Sequence, residues 1–201
     1  MNKTMEKEYK WRATEDTLGQ ALLWASSCIG SQSRIVHMQS RYFDTADGLL
    51  RAQQAALRLR KENNNSVCCL KLRNENTPDG LRAHEEYQCA AQSVTEGLNR
   101  LPEKGAPAAL CAQVLQGPLE EICAVDFRRC AVLIQQGDMV CELALDQGTM
   151  RRGDNTAPLC EIELEYVAGS EQAFRELAAD LAATLSLVPE PDSKLARAMR
   201  L

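Results

Sequence analysis

The sequence is poor in the ligands and spacings that build metal ribbons and disulfide scaffolds. It has only two histidines, His37 and His84, and its nine cysteines, at 28, 68, 69, 89, 111, 123, 130, 141 and 160, are odd in number and include no C-x-x-C pair. That spacing argues against a structural zinc site and a disulfide framework, so the thiols are expected to pack as small hydrophobes. No apolar run approaches the roughly 18 residues needed to cross a bilayer, and Met1-Asn2-Lys3-Thr4-Met5-Glu6 lacks the apolar stretch of a secretory signal. A cytoplasmic protein is the expectation. Positive charge is not in excess either. The formal net charge of −5 argues against broad binding to nucleic acid or an anionic membrane, yet a local basic pocket still acts within a Debye length of ~10 Å.

What the 201 residues do contain is enough apolar material (45%) and charge (25%) for one soluble domain spanning 1–201. Five short segments alternate charged with small or apolar residues: Glu6-Lys7-Glu8-Tyr9-Lys10, Leu57-Arg58-Leu59-Arg60, Leu70-Lys71-Leu72-Arg73, Glu142-Leu143-Ala144-Leu145-Asp146 and Glu161-Ile162-Glu163-Leu164-Glu165. As strands they each collect their ions on one face. A single strand of this kind is ordinary solvated surface. Several faces of nearly pure sign, acidic in two strands and basic in others, suggest instead a cation site facing an anion site.

Along the chain, 5–11 reads as a first strand, and Thr17 with Gln20 as a capping box for a helix whose core row is Leu18, Leu22, Ala25 and Ile29. Strands follow at 35–44, 57–61, 67–73 and 81–90, the last with Arg82, His84 and Glu86 on one face. If the loop between 57–61 and 67–73 has an even number of residues, Arg58, Arg60, Lys71 and Arg73 share a face, a crowding that calls for something anionic among them. Ser93 with Glu96 caps a second helix, and 102–118 reads as loop plus a short helix. Gly137-Asp138 is a two-residue turn of II′ type between strands 127–136 and 139–146. It pairs Gln136 with Met139, Leu133 with Glu142, Ala131 with Ala144 and Arg129 with Asp146. After strand 161–165, a helix begins at 168–170 and buries Phe174, Leu177, Ala178, Leu181, Ala182 and Leu185. About eight strands in hairpin order give an α+β protein with one dominant antiparallel sheet, able to close into a barrel around a polar lumen.

These landmarks together resemble the CYTH domain of the triphosphate tunnel metalloenzymes, most nearly the bacterial inorganic triphosphatase branch. E-x-E-x-K stands as Glu6, Glu8 and Lys10. Then follow Tyr42-Phe43-Asp44-Thr45, Ala56-Leu57-Arg58-Leu59-Arg60, Lys71, Glu86, Asp126-Phe127-Arg128-Arg129, Glu142 to Gly148, Cys160 to Glu165, and Ser193-Lys194 with Arg197. The resemblance implies a closed eight-stranded antiparallel β-barrel with helices packed outside, hydrolysing inorganic triphosphate to pyrophosphate and phosphate with divalent metal. A triphosphate carries about four to five negative charges, which several Lys and Arg must meet, Arg being favoured for its bidentate fork. Lys10, Arg58, Arg60, Lys71, Arg129, Lys194 and Arg197 are the expected substrate contacts. Mg²⁺ or Mn²⁺, hard cations that take carboxylates and keep waters, would be held by Glu6, Glu8, Glu161 and Glu163, with Asp146 and Glu86 next. Glu6, Glu8 and Lys10 form the expected catalytic group. His84 stands where the family usually has an arginine, with Arg82 nearby as a substitute contact.

More ordinary roles compete at several positions. Arg129 and Asp146 have a structural ion pair as their lesser reading, Glu165 reads as a carboxylate facing water, Arg73 and Arg82 as supporting or surface residues, and His37 as a plain strand residue. A class IV adenylate cyclase or thiamine triphosphatase, and a non-catalytic polyphosphate- or nucleotide-binding module, are the alternative functions. No nucleic-acid or membrane partner is expected, and the oligomeric state is open.

Overall fold

Two-residue turns organise the sheet. Gly137 takes φ +61° and Asp138 does not join it in the left-handed region, the combination a II′ turn requires. Strand β6 (Leu119–Gln136) therefore folds straight back into β7 (Met139–Arg152). The register is the expected one, with Gln136 opposite Met139 and Arg129 opposite Asp146. Asn63, at φ +53°, does the same between β3 (Ala55–Glu62) and β4 (Asn65–Asn76). The intervening loop is two residues long, so Arg58, Arg60 and Lys71 do share a face.

The structure is a computed structural model that describes residues 4–28 and 32–201, without the side chains at 4 and 73–76; Ile29 and the Arg73 side chain, both named above, lie outside the described residues. The remaining long strands are β1 (Thr4–Arg12), β2 (Gln32–Thr45), β5 (Arg82–Ala90) and β8 (Asn155–Ala168). The order is β5-β4-β3-β2-β6-β7-β8-β1, and β1 also pairs with β5 along Thr4–Glu8, which closes an eight-stranded antiparallel barrel. A short strand, β9 (Val188–Pro189), extends β1 at Trp11 and Arg12. β6 begins eight residues before its expected start at 127, because Leu119–Asp126 pairs with β2 as far as Thr45. Cys123, Ala124 and Val125 are buried in succession, so no alternation marks that stretch in the sequence.

Two apolar cores cover the outside. Helices α1 (Glu15–Ser26) and α5 (Glu171–Thr184) lie over β1 and β6–β8, packing on Tyr9, Trp11, Ile134, Leu143 and Ile162. Phe174, Leu177, Ala178 and Leu181 face this core as expected, with Ala182 and Leu185 partly buried at its edge. α1 starts earlier than its expected cap. Thr14, not Thr17, is the N-cap, its Oγ1 accepting from the Thr17 backbone N–H at 3.2 Å. The earlier start goes with a turned face: Leu18, Ala21 and Ala25 are buried, and Leu22 is 37% exposed. The second core lies between β3–β5 and helices α2 (Leu49–Ala52), α3 (Val94–Arg100) and α4 (Ala108–Val114). Buried thiols fill gaps there, Cys68, Cys89 and Cys111 among them. Each large aliphatic side chain buried in these cores contributes about 1.5–3 kcal/mol.

Because the outward faces are apolar, the alternate residues turn inward. Among the described residues, five α-helices pack outside. The sixth, α6 (Lys194–Ala198), sits in one end of the barrel. Leu195, Ala198 and Met199 pack there on Met38, Tyr42, Val125, Phe127 and Leu159, which share the lumen face with Arg58, Arg60 and Arg129.

Candidate functional site

Cross-strand register carries the alternating ions of the sequence into one interior. Lys10 lies opposite Glu163 and Glu8 opposite Glu165 between β1 and β8. Asp146 lies between Glu161 of β8 and Arg129 of β6. On the other side Glu6 faces His84 of β5, and Glu86 faces Lys71 of β4. All thirteen expected substrate, metal and catalytic residues point into the lumen or, for Lys194 and Arg197, enter it from α6.

The ions form two neighbouring groups. In the first, Asp146, Glu161 and Glu163 are buried and present oxygens within 4.8 Å of one another. Lys10 Nζ lies 2.8 Å from Glu163 and 3.7 Å from Glu161. Arg129 donates from Nε and Nη2 to the two Asp146 oxygens, both at 2.7 Å, and from Nη2 to Glu163 at 2.6 Å. Lys194 donates to Glu161 and to Glu163, the latter at 3.0 Å, and pairs with Asp146 at 2.8 Å. Arg197 donates to Glu161. In the second group Lys71 lies 2.5 Å from Glu6 and 3.3 Å from Glu86, and Arg58 lies 3.7 Å from Glu86. Glu8 stands between the groups, 3.9 Å from both Lys10 and His84 Nε2. Arg60 is at the edge, paired with Glu62.

Burial and neighbouring charge separate the carboxyl groups. Burial raises Glu6 well above the ordinary carboxylate range; Lys71 offsets this only in part, and Glu86 and Glu8 push it further up. Burial also pushes at Glu86, but Lys71 and Arg58 hold it well below that range. Glu163 is likewise driven far down against burial by Lys10, Lys194 and Arg129. Glu161 stays raised by burial despite Lys10 and Lys194. Glu165, for which no ion pair or hydrogen bond is found among the described residues, is pushed up to about 7 by burial and by Glu8 and Glu163.

The donor set fits a hard divalent cation: three buried carboxylates with converging oxygens and no soft ligand among them. The basic groups fit an anion. The Nε atoms of Arg58, Arg60 and Arg197 are buried and, among the described residues, make no hydrogen bond.

One residue of this architecture was not singled out from sequence. Glu190 is 4% exposed and ties α6 to β1. Its carboxylate accepts from Arg12 Nε at 3.2 Å and Arg197 Nη1 at 3.5 Å, and its backbone N–H donates to the Lys10 carbonyl at 3.0 Å. The only local signal is its place in Pro189-Glu190-Pro191, a rigid extended stretch. Arg82, placed by sequence as a supporting residue, donates to the Glu190 carbonyl.

Known proteins share this architecture. The HpAC1 protein of Hippeastrum, described as having a dominant triphosphatase activity, superposes with a TM-score of 0.62 over 97% of this chain and 95% of that one at 18% identity. The PH1819 protein of Pyrococcus horikoshii gives 0.61 over 97% and 98% at 16%. At such identities the likeness speaks for the fold. The inorganic triphosphatase of Haemophilus influenzae is 29% identical over 131 residues, 65% of this chain and 36% of that protein, so the chain spans about a third of that relative's length. The family model of the CYTH domain matches residues 4–199, and with the barrel closed and its ionic lumen in place, the chain belongs to the CYTH domain family.

Proposed function

We propose that this chain is a metal-dependent triphosphatase, a single CYTH domain over 1–201 that cleaves inorganic triphosphate to pyrophosphate and phosphate in the cytoplasm. The observation that carries this is the coexistence, in one lumen, of buried arginine Nε–H groups with no hydrogen-bond partner among the described residues and a trio of converging carboxylates. Membership of the family, with an inorganic triphosphatase among the similar proteins, supports it.

Asp146, Glu161 and Glu163, with Glu6, Glu8 and Glu86, would hold Mg²⁺ or Mn²⁺. When bound, such an ion polarises phosphoryl oxygens and acidifies its water. The protein supplies the rest. Arg58, Arg60 and Lys71 on one wall, and Lys10, Arg129, Lys194 and Arg197 on the other, would orient the triphosphate and stabilise charge on its oxygens. Burial of Lys10 and Lys194, 7% and 6% exposed, keeps bulk water from screening those contacts. Glu8, lowered by Lys10 and Lys71 against burial, stays ionised and is the candidate to accept a proton from the attacking water.

The test is phosphate release from triphosphate, ATP and thiamine triphosphate, each with Mg²⁺, Mn²⁺ or chelator. Release from triphosphate only with metal, abolished by Glu6→Gln in a protein of unchanged circular dichroism, is the expected result. Cyclic AMP from ATP would replace this reading with a cyclase. Tight, metal-independent binding without release would make the chain a binding module.

A further inference from the structure

Lys194 uses its ammonium on the same three residues whose oxygens converge for a metal. Its Nζ contacts Asp146 at 2.8 Å, Glu163 at 3.0 Å and Glu161. An ammonium has three donors and no acceptor; Lys194 gives hydrogen bonds to Glu161 and Glu163 and pairs its charge with Asp146. It does not belong to the barrel wall. It comes from α6, a five-residue helix, too short to be rigid alone and held in place by Ser193, Glu190 and the apolar contacts of Leu195 and Met199.

We propose that Lys194 is a built-in cation that fills the Asp146/Glu161/Glu163 site in the substrate-free protein, competes with the divalent metal for it, and yields it when triphosphate arrives. A metal entering without substrate must either displace the ammonium, leaving a buried charge without an anion, or share the trio with it. Both outcomes are unfavourable. A bound triphosphate offers the ammonium new oxygens and frees the carboxylates. Metal and triphosphate therefore bind with positive coupling, each tightening the other by the same factor. Lys10 cannot play this part, since it closely contacts only Glu163 and comes from a barrel strand. The coupling rests on the triphosphate reading proposed above; the competition between Lys194 and metal does not.

The experiment is Mn²⁺ binding to the substrate-free protein, read from the electron paramagnetic resonance of free Mn²⁺. Lys194→Met, of similar length and no charge, is expected to bind Mn²⁺ at least about 10-fold tighter than the wild type, and Lys194→Arg about as weakly as the wild type. A Lys194→Met protein with unchanged circular dichroism and equal or weaker Mn²⁺ binding would overturn the competition. The wild type itself supplies a second arm needing no variant: imidotriphosphate, which resists cleavage, should tighten Mn²⁺ by about 5- to 150-fold beyond the Mn²⁺ it chelates in a protein-free control. Absence of that tightening overturns the coupling. Neither arm requires turnover, so a protein that binds as described but releases no phosphate would sink the triphosphatase reading and leave the competition standing.

Discussion

Arg129 and Asp146 are cross-strand neighbours joined by two 2.7 Å hydrogen bonds, and Asp146 is wholly buried. The pair is thus neither a surface ornament nor independent of the site, because the same guanidinium also reaches Glu163. Arg129→Ala should lower stability by about 3–5 kcal/mol, the usual cost of stranding a buried partner. Arg129→Lys, which cannot make the fork, should fall between. Urea unfolding of the metal-free protein measures this, and a change under about 1 kcal/mol would show that Lys194 alone satisfies Asp146.

Glu190 should act on substrate binding through α6. Removing its carboxylate in Glu190→Ala takes the partner from Arg12 and one of two from Arg197, and loosens the helix that carries Lys194. The expected effect is a KM for triphosphate raised by about 10-fold, the equivalent of one charge-assisted hydrogen bond, with a smaller change in kcat. Hydrogen exchange over 193–199 should quicken in parallel. Unchanged exchange there with a raised KM would mean that Glu190 acts otherwise.

His84 should remain neutral well below the usual histidine range. Burial, then Lys71, lowers it from 6.5 to about 4. Between those values the unfolded chain gains a proton and the folded one does not, so folding stability falls as pH drops from about 6.5 to about 4. Proton NMR of the imidazole in the metal-free protein reads the midpoint directly. The difference in stability between wild type and His84→Gln should carry the slope in that window, and a midpoint near 6.5 would contradict it.

The buried thiols should be inert. Burial pushes Cys68, Cys69, Cys123 and Cys141 up to about 12, which leaves little thiolate at pH 8. These four should resist a chromogenic disulfide reagent in the native protein, while all nine cysteines react after unfolding. Fast reaction of all nine in the native protein would be the contrary result.

Local rules made much of this protein readable in advance. Period-two alternation is a property of any strand, so the ionic faces of 6–10, 58–60 and 161–165 were visible without a structure. Gly137-Asp138 permits only a tight reversal there, which set the pairing of Arg129 with Asp146. Where alternation fails, as at Cys123-Ala124-Val125, all three buried, the strand was not legible. The rotation of α1, burying Ala21 and exposing Leu22, depended on a cap one helical turn earlier than the favoured signal.

The sequence by itself determined which residues carry charge toward a common face and in what strand register the hairpins form, because turns and side-chain alternation act over a few residues. Tertiary structure alone decided which of those charges meet. Closure of β1 onto β5 and β8 brings ions more than a hundred residues apart into contact, as with Lys10 and Glu163. Likewise the insertion of α6 into one barrel end, anchored by Glu190, delivers Lys194 to three carboxylates on β7 and β8. Such contacts depend on the position of one element against another, which no local pattern encodes.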